Sequence, residues 1–245
     1  MIAKPELTIR QVTEQDLDLV RTLYFDVWGY NRPIVFDKWR FFDNPLGICP
    51  AVLAMDGDQP AGFYTVWPVK VHLRGERSEQ TFLGAQSMDT MTHPNYQGQG
   101  VFTKLANACY ELAASRDYKI LYGFPNPLSY PGFTRRLEWR HTGDITHWFR
   151  PVRPSGHPKT PGFIGPLADL IAGCYPKGST RNVDISIGKP PVKVFRSLLQ
   201  KWIERTGGNQ ISRTPEWMDW RYSDQSENDY EWVRVYRRSD LVAIA

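Results

Sequence analysis

Residues 7–13, LTIRQVT, alternate apolar and polar positions, the period of a half-buried strand. Thr13 then precedes an acidic first turn, an N-cap pattern, and Leu17, Val20, Leu23, Tyr24 and Val27 recur at helical spacing until Gly29 stops them. FDKWRFF (36–42) predicts a second, short helix ended by Asn44-Pro45. AVLAM (51–55), a D-G-D turn at 56–58 and GFYTVWPVKVHL (62–73) predict a hairpin, with Pro68 putting the middle of its second strand at a bend or an edge. TFLGAQSMDTMT (81–92) reads as another strand. After HPNYQGQG, the positions Val101, Leu105, Ala108, Cys109 and Leu112 share one helix face. KILYGF (119–124) predicts a buried strand, SYPGFTRRLEW (129–139) a short helix beginning near Pro131, and ITHWF (145–149) a last strand.

The pattern breaks at 151–166, PVRPSGHPKTPGFIGP, where five Pro and three Gly in sixteen residues read as a linker. The expected division is a first domain over 1–150, a Pro/Gly-rich linker over 151–181 and a smaller unit over 182–245. NVDISI (182–187) predicts a strand and VKVFRSLLQKWIERTG (192–207) a helix with a Gly stop. The smaller unit echoes the first: Trp39-Arg40-Phe41-Phe42-Asp43 returns as Trp220-Arg221-Tyr222-Ser223-Asp224, each after a strand and a helix and before a strand and a turn, MDGD (55–58) or RRSD (237–240). The echo stops before anything like QGQG, so the second unit is either degenerate or cut short. A C-terminal strand, 230–236 or 241–244, would leave an open edge for self-pairing into a homodimer.

Composition narrows the class. Of 245 residues, 41% are hydrophobic and 23% charged, which suits a folded core and excludes a disordered chain or a disulfide scaffold. The net charge of +4 is too small to imply nucleic acid. Three Cys without a CxxC pair predict reduced thiols in the cytoplasm, with Cys109 in the core. The five His show no metal-ligand spacing, the N-terminus has no apolar leader, and no apolar run is long enough for a membrane span. The expectation is a cytoplasmic protein with no metal, no nucleic-acid partner and no membrane. Neither GxSxG nor GxxxxGK[ST] occurs, so neither a hydrolase elbow nor a P-loop is supported.

The segment that carries chemistry is QSMDTMTHPNYQGQGVFTK (86–104). A strand enters a Gly-rich turn and the turn opens a helix. Gly98 and Gly100 permit backbone angles closed to other residues, and four or five successive free amides over Gln97–Phe102 at a helix start make an anion site, with Thr103 offering a hydroxyl.

HPNYQGQGVF resembles the Q/R-x-x-G-x-G/A motif of the GNAT superfamily of N-acetyltransferases. Gln97 and Gly100 match, and Phe102 stands where the last Gly or Ala is usual. A second match follows the strand 119–124. Asn126 and Leu137-Glu138-Trp139 fall in position, and Phe133 stands where the family's acid Tyr is usual. The element order over 7–150 agrees as well. The resemblance implies an α+β fold of three layers, α/β/α, around a mixed sheet. It implies acetyl-CoA as donor, held by Met91, Gln97, Gly98, Gln99, Gly100, Val101, Phe102, Thr103 and Asn126, and a small-molecule amine as acceptor, an amino sugar among the candidates. Asn126 also counts among the expected catalytic residues. Asp89, two residues before Met91, is the first candidate base and His72 the second. Tyr130, one helical turn before Phe133, is the candidate acid. Arg135-Arg136 read as a solvated helix face or a phosphate contact. The acceptor cleft is expected near 86–91 and 119–126, facing 36–42, with Trp39, Phe41, Tyr64 and Trp67 as its lining. Two rival readings are an aminoacyl transferase of the FemABX type and a non-catalytic acyl-CoA-binding module.

Overall fold

The computed structural model describes residues 6–74, 79–146, 154–156, 161–173, 182–206, 209–223 and 229–245. The first unit runs β1 (Thr8–Gln11), α1 (Leu17–Trp28), α2 (Ile34–Phe41), β2 (Ala51–Asp56), β3 (Gln59–Arg74), β4 (Glu79–Thr92), α3 (Val101–Ser115) and β5 (Ile120–Tyr122). A π-helical turn, Gly132–Arg136, is the short helix expected after Pro131, closed by Leu137 N–H donating to Gly132 O at 3.2 Å. Of the last expected strand, Ile145 and Thr146 are irregular and 147–149 lie outside the described residues.

The strands form a mixed sheet in the order β1-β2-β3-β4-β5, antiparallel except for the β4–β5 pair. Each face buries its own core. Leu53, Met55, Phe63 and Trp67 meet α1 and α2 through Val20, Leu23, Phe36, Trp39 and Phe41. Val52, Ala54, Tyr64 and Val66 meet α3 through Val101, Leu105 and Cys109. Strand alternation thus feeds two helical layers, the three-layer α+β arrangement. Pro68 sits where β3 has lost β2 as neighbour. Val66 N–H still reaches Pro50 O and Ser212 N–H reaches Lys70 O, so the N–H that Pro68 lacks would have pointed at that open edge.

The remaining elements are α4 (Gly165–Gly173), β6 (Asp184–Ile187), α5 (Val192–Thr206), β7 (Gln210–Ile211), α6 (Pro215–Tyr222), β8 (Val233–Arg237) and β9 (Asp240–Ile244). Helix α4 falls inside the expected linker. The succession β6-α5-α6-β8-β9 repeats β1-α1-α2-β2-β3, and the sheet β6-β8-β9 repeats the pairing of β1-β2-β3. Even the irregularity recurs: the register slips at Ala54/Met55 in the first hairpin and at Val235/Tyr236 in the second. Asp56 therefore corresponds to Arg237, one residue off the spacing read from MDGD and RRSD. Strand 233–237 is the middle strand of this sheet, so among the described residues the outer edge at the C-terminus belongs to β9. The second unit docks through Trp220, buried in the α1/α2 core, and through β7, which pairs with Val71 and His72 of β3.

Candidate functional site

Between β4 and β5 the pairing is brief. Gly84, Ala85 and Gln86 face Ile120, Leu121 and Tyr122, and then the strands part. The parting coincides with a bulge in β4. Phe63 pairs with Met91 but Thr65 pairs with Met88, so an extra residue is accommodated and Asp89 takes φ 48°. A cleft of about 890 Å³ opens there, walled by β4 from Gln86 to Thr92, the Gly98–Phe102 loop, Gly123–Asn126, the π-helical turn, and the end of α1 with Tyr30.

The loop has the geometry its glycines allow. Gly98 and Gly100 lie at φ 73° and 79°, and a methyl group at either would meet nothing within 4 Å. The first intrahelical bond of α3 is Lys104 N–H to Gly100 O, so the amides from Gly98 to Thr103 have no backbone acceptor among the described residues. Gln97 donates its side-chain amide to Thr92 O at 3.3 Å, and Gln99 folds back onto Asn95 O at 2.9 Å. Gln97, Gly98, Gly100, Val101 and Phe102 line the cleft; Gln99 and Thr103 do not. Met91 lines it as well while its side chain is buried in the α1/α2 core.

The two departures from the family pattern touch. Phe102 and Phe133 meet edge to face at 5.3 Å, and Phe133 also packs on Trp139 at 4.7 Å. The ring of Phe102 lies where a side chain on Gly132 would be, 3.0 Å from that position. Its bulk is turned into the α3 core, and its amide stays at the head of the helix.

Asn126 lines the cleft and caps it: Oδ1 accepts from Leu128 N–H at 3.0 Å and Ser129 N–H at 2.9 Å. Tyr130 does not line the cleft. Its hydroxyl lies 3.1 Å from His141 Nδ1. His72 lies toward the end of β3 beside β7, against Thr81 Oγ1, and is likewise not part of the cleft. Arg135 and Arg136, by contrast, both line it.

Asp89 is held by guanidinium groups. Arg40 Nη2 approaches Oδ2 at 2.9 Å and Arg32 Nη1 approaches the same oxygen at 3.3 Å. Arg32 is itself buried, paired at 2.5 Å with the fully buried Asp37 and stacked over the Tyr24 ring at 4.2 Å. Burial raises the Asp37 carboxyl to about 6, against the pull of Arg32. These pairs tie loop, α2 and β4 together and anchor the β4 bulge at Asp89.

Trp39, Phe41, Tyr64 and Trp67, expected as lining, are core residues instead. Trp39, Phe41 and Trp67 pack in the α1/α2 core and Tyr64 in the α3 core, its hydroxyl 2.7 Å from Tyr110 of α3 and from Ser87 of β4. Tyr24, Trp28, Tyr30 and Phe124 line the cleft, along with Tyr96, Phe102 and Phe133. Tyr24 donates to Tyr30 at 2.6 Å, and burial together with that bond pushes the Tyr24 hydroxyl up to about 12. Sequence reading assigned Tyr24 to the helix core; its place at the last turn before Gly29 was the available signal that it could also reach a cleft.

Residues 8–142 match the profile of the acetyltransferase (GNAT) domain family. No curated protein matches the sequence. Among solved structures, a conserved protein of unknown function from Enterococcus faecalis V583, described as a probable N-acyltransferase, covers 96% of this chain at 12% identity and TM-score 0.60. The chain spans about half of that protein, 53% of its length. AAC(6')-Iy in complex with the bisubstrate analogue CoA-S-monomethyl-acetylneamine covers 59% of the chain and is itself covered to 97%, at 14% identity and TM-score 0.48. The first likeness is to the fold and extends through the second unit.

Proposed function

The chain belongs to the GNAT acetyltransferase family, and from that premise we propose that it moves an acetyl group from acetyl-CoA to the primary amine of a small acceptor. The observation that carries this reading is the run of unpaired amides from Gly98 to Thr103, of which Gly98, Gly100, Val101 and Phe102 line the cleft where β4 and β5 part. Such amides, with the dipole of α3 behind them, fit a pyrophosphate without a basic side chain. Arg135 and Arg136 stand where a further phosphate would meet a charge. Gln97 steadies the loop from below, and Asn126 holds the opposite rim. The proposed division places this site in residues 1–150, with 182–245 as a partial copy.

Acetyl-CoA supplies an activated thioester, and the chain's residues supply position. Uncapped backbone groups of the parted strand β4 are the available donors for the carbonyl oxygen as it gains charge. Two reactants held in one cleft gain more from placement than from any single side chain. The amine nitrogen, having given a proton to water, forms the C–N bond; the C–S bond breaks, and the remaining ammonium proton ends on the released thiol. A thiol ionises near 8.5, so the thiolate leaves without an obligatory acid. That suits a site with Phe133 at the family's Tyr position. The same Phe133 favours a second reading, a non-catalytic acyl-CoA-binding module.

Calorimetric titration with acetyl-CoA, with dephospho-CoA for comparison, tests the binding half, and thiol release with added amine tests transfer. Saturable binding with turnover is expected. Binding without turnover for any amine would leave the module reading, and no binding to millimolar ligand would reject both.

A further inference from the structure

The walls of the cleft are more apolar, and less acidic, than an amino sugar would require. Tyr24, Val27 and Trp28 stand at successive positions on one face of α1, and Tyr30 follows the Gly29 stop. Trp28 and Tyr30 are 53% and 57% exposed; on the facing wall Phe124 is 61% exposed and Leu128 92%. Large apolar side chains left open to water on two sides of one cleft gain free energy when an apolar body covers them.

The charges agree. Asp89 is the one acid that lines the cleft among the described residues, and Arg135 and Arg136 line it too. Arg32 donates to Asp89 Oδ2, the oxygen that Arg40 also approaches most closely, and Oδ1 accepts no hydrogen bond among the described residues. One carboxylate oxygen serves one ammonium group, and the aromatic rings that line the same cleft attract the same charge. A polycation would bring several ammonium groups to a single carboxylate oxygen and two arginines, and the surplus would be repelled or stripped of water unpaired.

We propose that the acceptor is a monoamine on an aromatic or extended apolar body, an arylalkylamine in chemical class, with its ammonium docked at Asp89 Oδ1 and its body against Trp28 and Tyr30. This rests on the acyl-CoA reading above. It departs from the amino sugar named above as one candidate acceptor. Asp89 serves here as a docking group, and the proton lost before attack goes to water.

The test is thiol release from acetyl-CoA with 2-phenylethylamine, hexylamine, glucosamine and neamine, alongside calorimetry of acetyl-CoA alone. The aromatic amine is expected to exceed both amino sugars in kcat/KM by at least about tenfold, the scale of covering one aromatic group. Trp28→Ala should raise its KM about tenfold with acetyl-CoA affinity unchanged, and Trp28→Phe should restore most of the loss. Higher kcat/KM for glucosamine or neamine overturns the proposal. So does an unchanged KM in Trp28→Ala, or intact acetyl-CoA binding with no turnover and no calorimetric binding of the aromatic amine. Failure of acetyl-CoA itself to bind instead strikes the acyl-CoA reading, which the separate titration identifies.

Discussion

Trp39 and Trp220 bond to each other reciprocally: the indole N–H of Trp39 donates to Trp220 O at 2.8 Å, and that of Trp220 donates to Trp39 O at 3.2 Å. Their rings stack at 4.9 Å, and both indoles are buried. The exchange is what a local two-fold relation between α2 and α6 would produce, and these are the helices whose sequences echo each other. Arg40 and Arg221, the next residue in each, both lie over Trp67, at 5.1 and 5.6 Å.

Trp220→Ala should therefore destabilise the first unit as well as the second. Loss of a buried indole costs about 3–5 kcal/mol, and Trp220→Phe, which removes one hydrogen bond and leaves Trp39 O unpaired, about 1–3 kcal/mol. Urea unfolding followed by Trp fluorescence and by far-UV circular dichroism reads both. A second unit that unfolds separately, with no shift in the midpoint of the first, would show that the indole pair does not couple them.

Gly98→Ala tests the loop. The new methyl group meets nothing within 4 Å, so the fold accommodates it, but φ 73° is a left-handed conformation that costs an Ala about 1–2 kcal/mol. Relief of that strain turns the adjacent amides away from the cleft. Acetyl-CoA affinity is expected to fall about tenfold, the equivalent of 1.4 kcal/mol, with the melting temperature little changed. Unaltered affinity would mean that these amides do not hold the phosphates.

What the sequence made legible was local. The 2- and 3.6-residue periods located most strands and helices, and the glycines of QGQG marked a loop whose angles only glycine takes freely. The short echo of WRFFD in WRYSD pointed to the repeat because both copies meet the same partner, Trp67. What stayed hidden depends on long-range placement. The β4 bulge is a register shift of one residue, which leaves the alternation on either side intact. The Arg32–Asp37 and Arg40–Asp89 pairs join loop, helix and strand, and no spacing announces them. Trp39, Phe41, Tyr64 and Trp67 were placed in the cleft because residue type says that a side chain seeks burial, not which face of the sheet buries it.

Asp89→Asn and Tyr130→Phe separate anchoring from proton transfer. The first leaves Arg32 and Arg40 without their shared carboxylate, at a cost of about 3 kcal/mol, and should raise the amine KM. It should leave the pH limb of kcat in place, because the amine's proton goes to water and Asp89 has a docking role. Tyr130→Phe, whose hydroxyl meets His141 outside the cleft, should change kcat less than twofold. Loss of the limb in Asp89→Asn would make Asp89 the base, and a large drop in Tyr130→Phe would restore Tyr130 as the acid.

Asp16 fixes the turn from which α1, and with it the aromatic wall, departs. Its carboxylate accepts from Arg10 Nη2 at 2.7 Å and Nη1 at 2.8 Å, and from the Thr13 N–H and hydroxyl at 2.8 Å each. The Arg10 bonds, foremost, hold its pKa down to about 2. An acid depressed in the folded state adds stability that is complete above its unfolded value, about 3.9, and is lost as pH falls through 2. Because Arg10 is 40% exposed and screened, the contribution is about 1–2 kcal/mol rather than the full linkage value. Asp16→Asn should thus be less stable than the parent by that amount at pH 7, and the gap should narrow between pH 4 and 2 as the parent's carboxylate takes up its proton. Denaturant midpoints for both proteins across that range measure it. A gap that stays constant down to pH 2 would assign the loss to the Thr13 hydrogen bonds, which an Asn can disturb at any pH, and would leave the Arg10 pair without a share in stability.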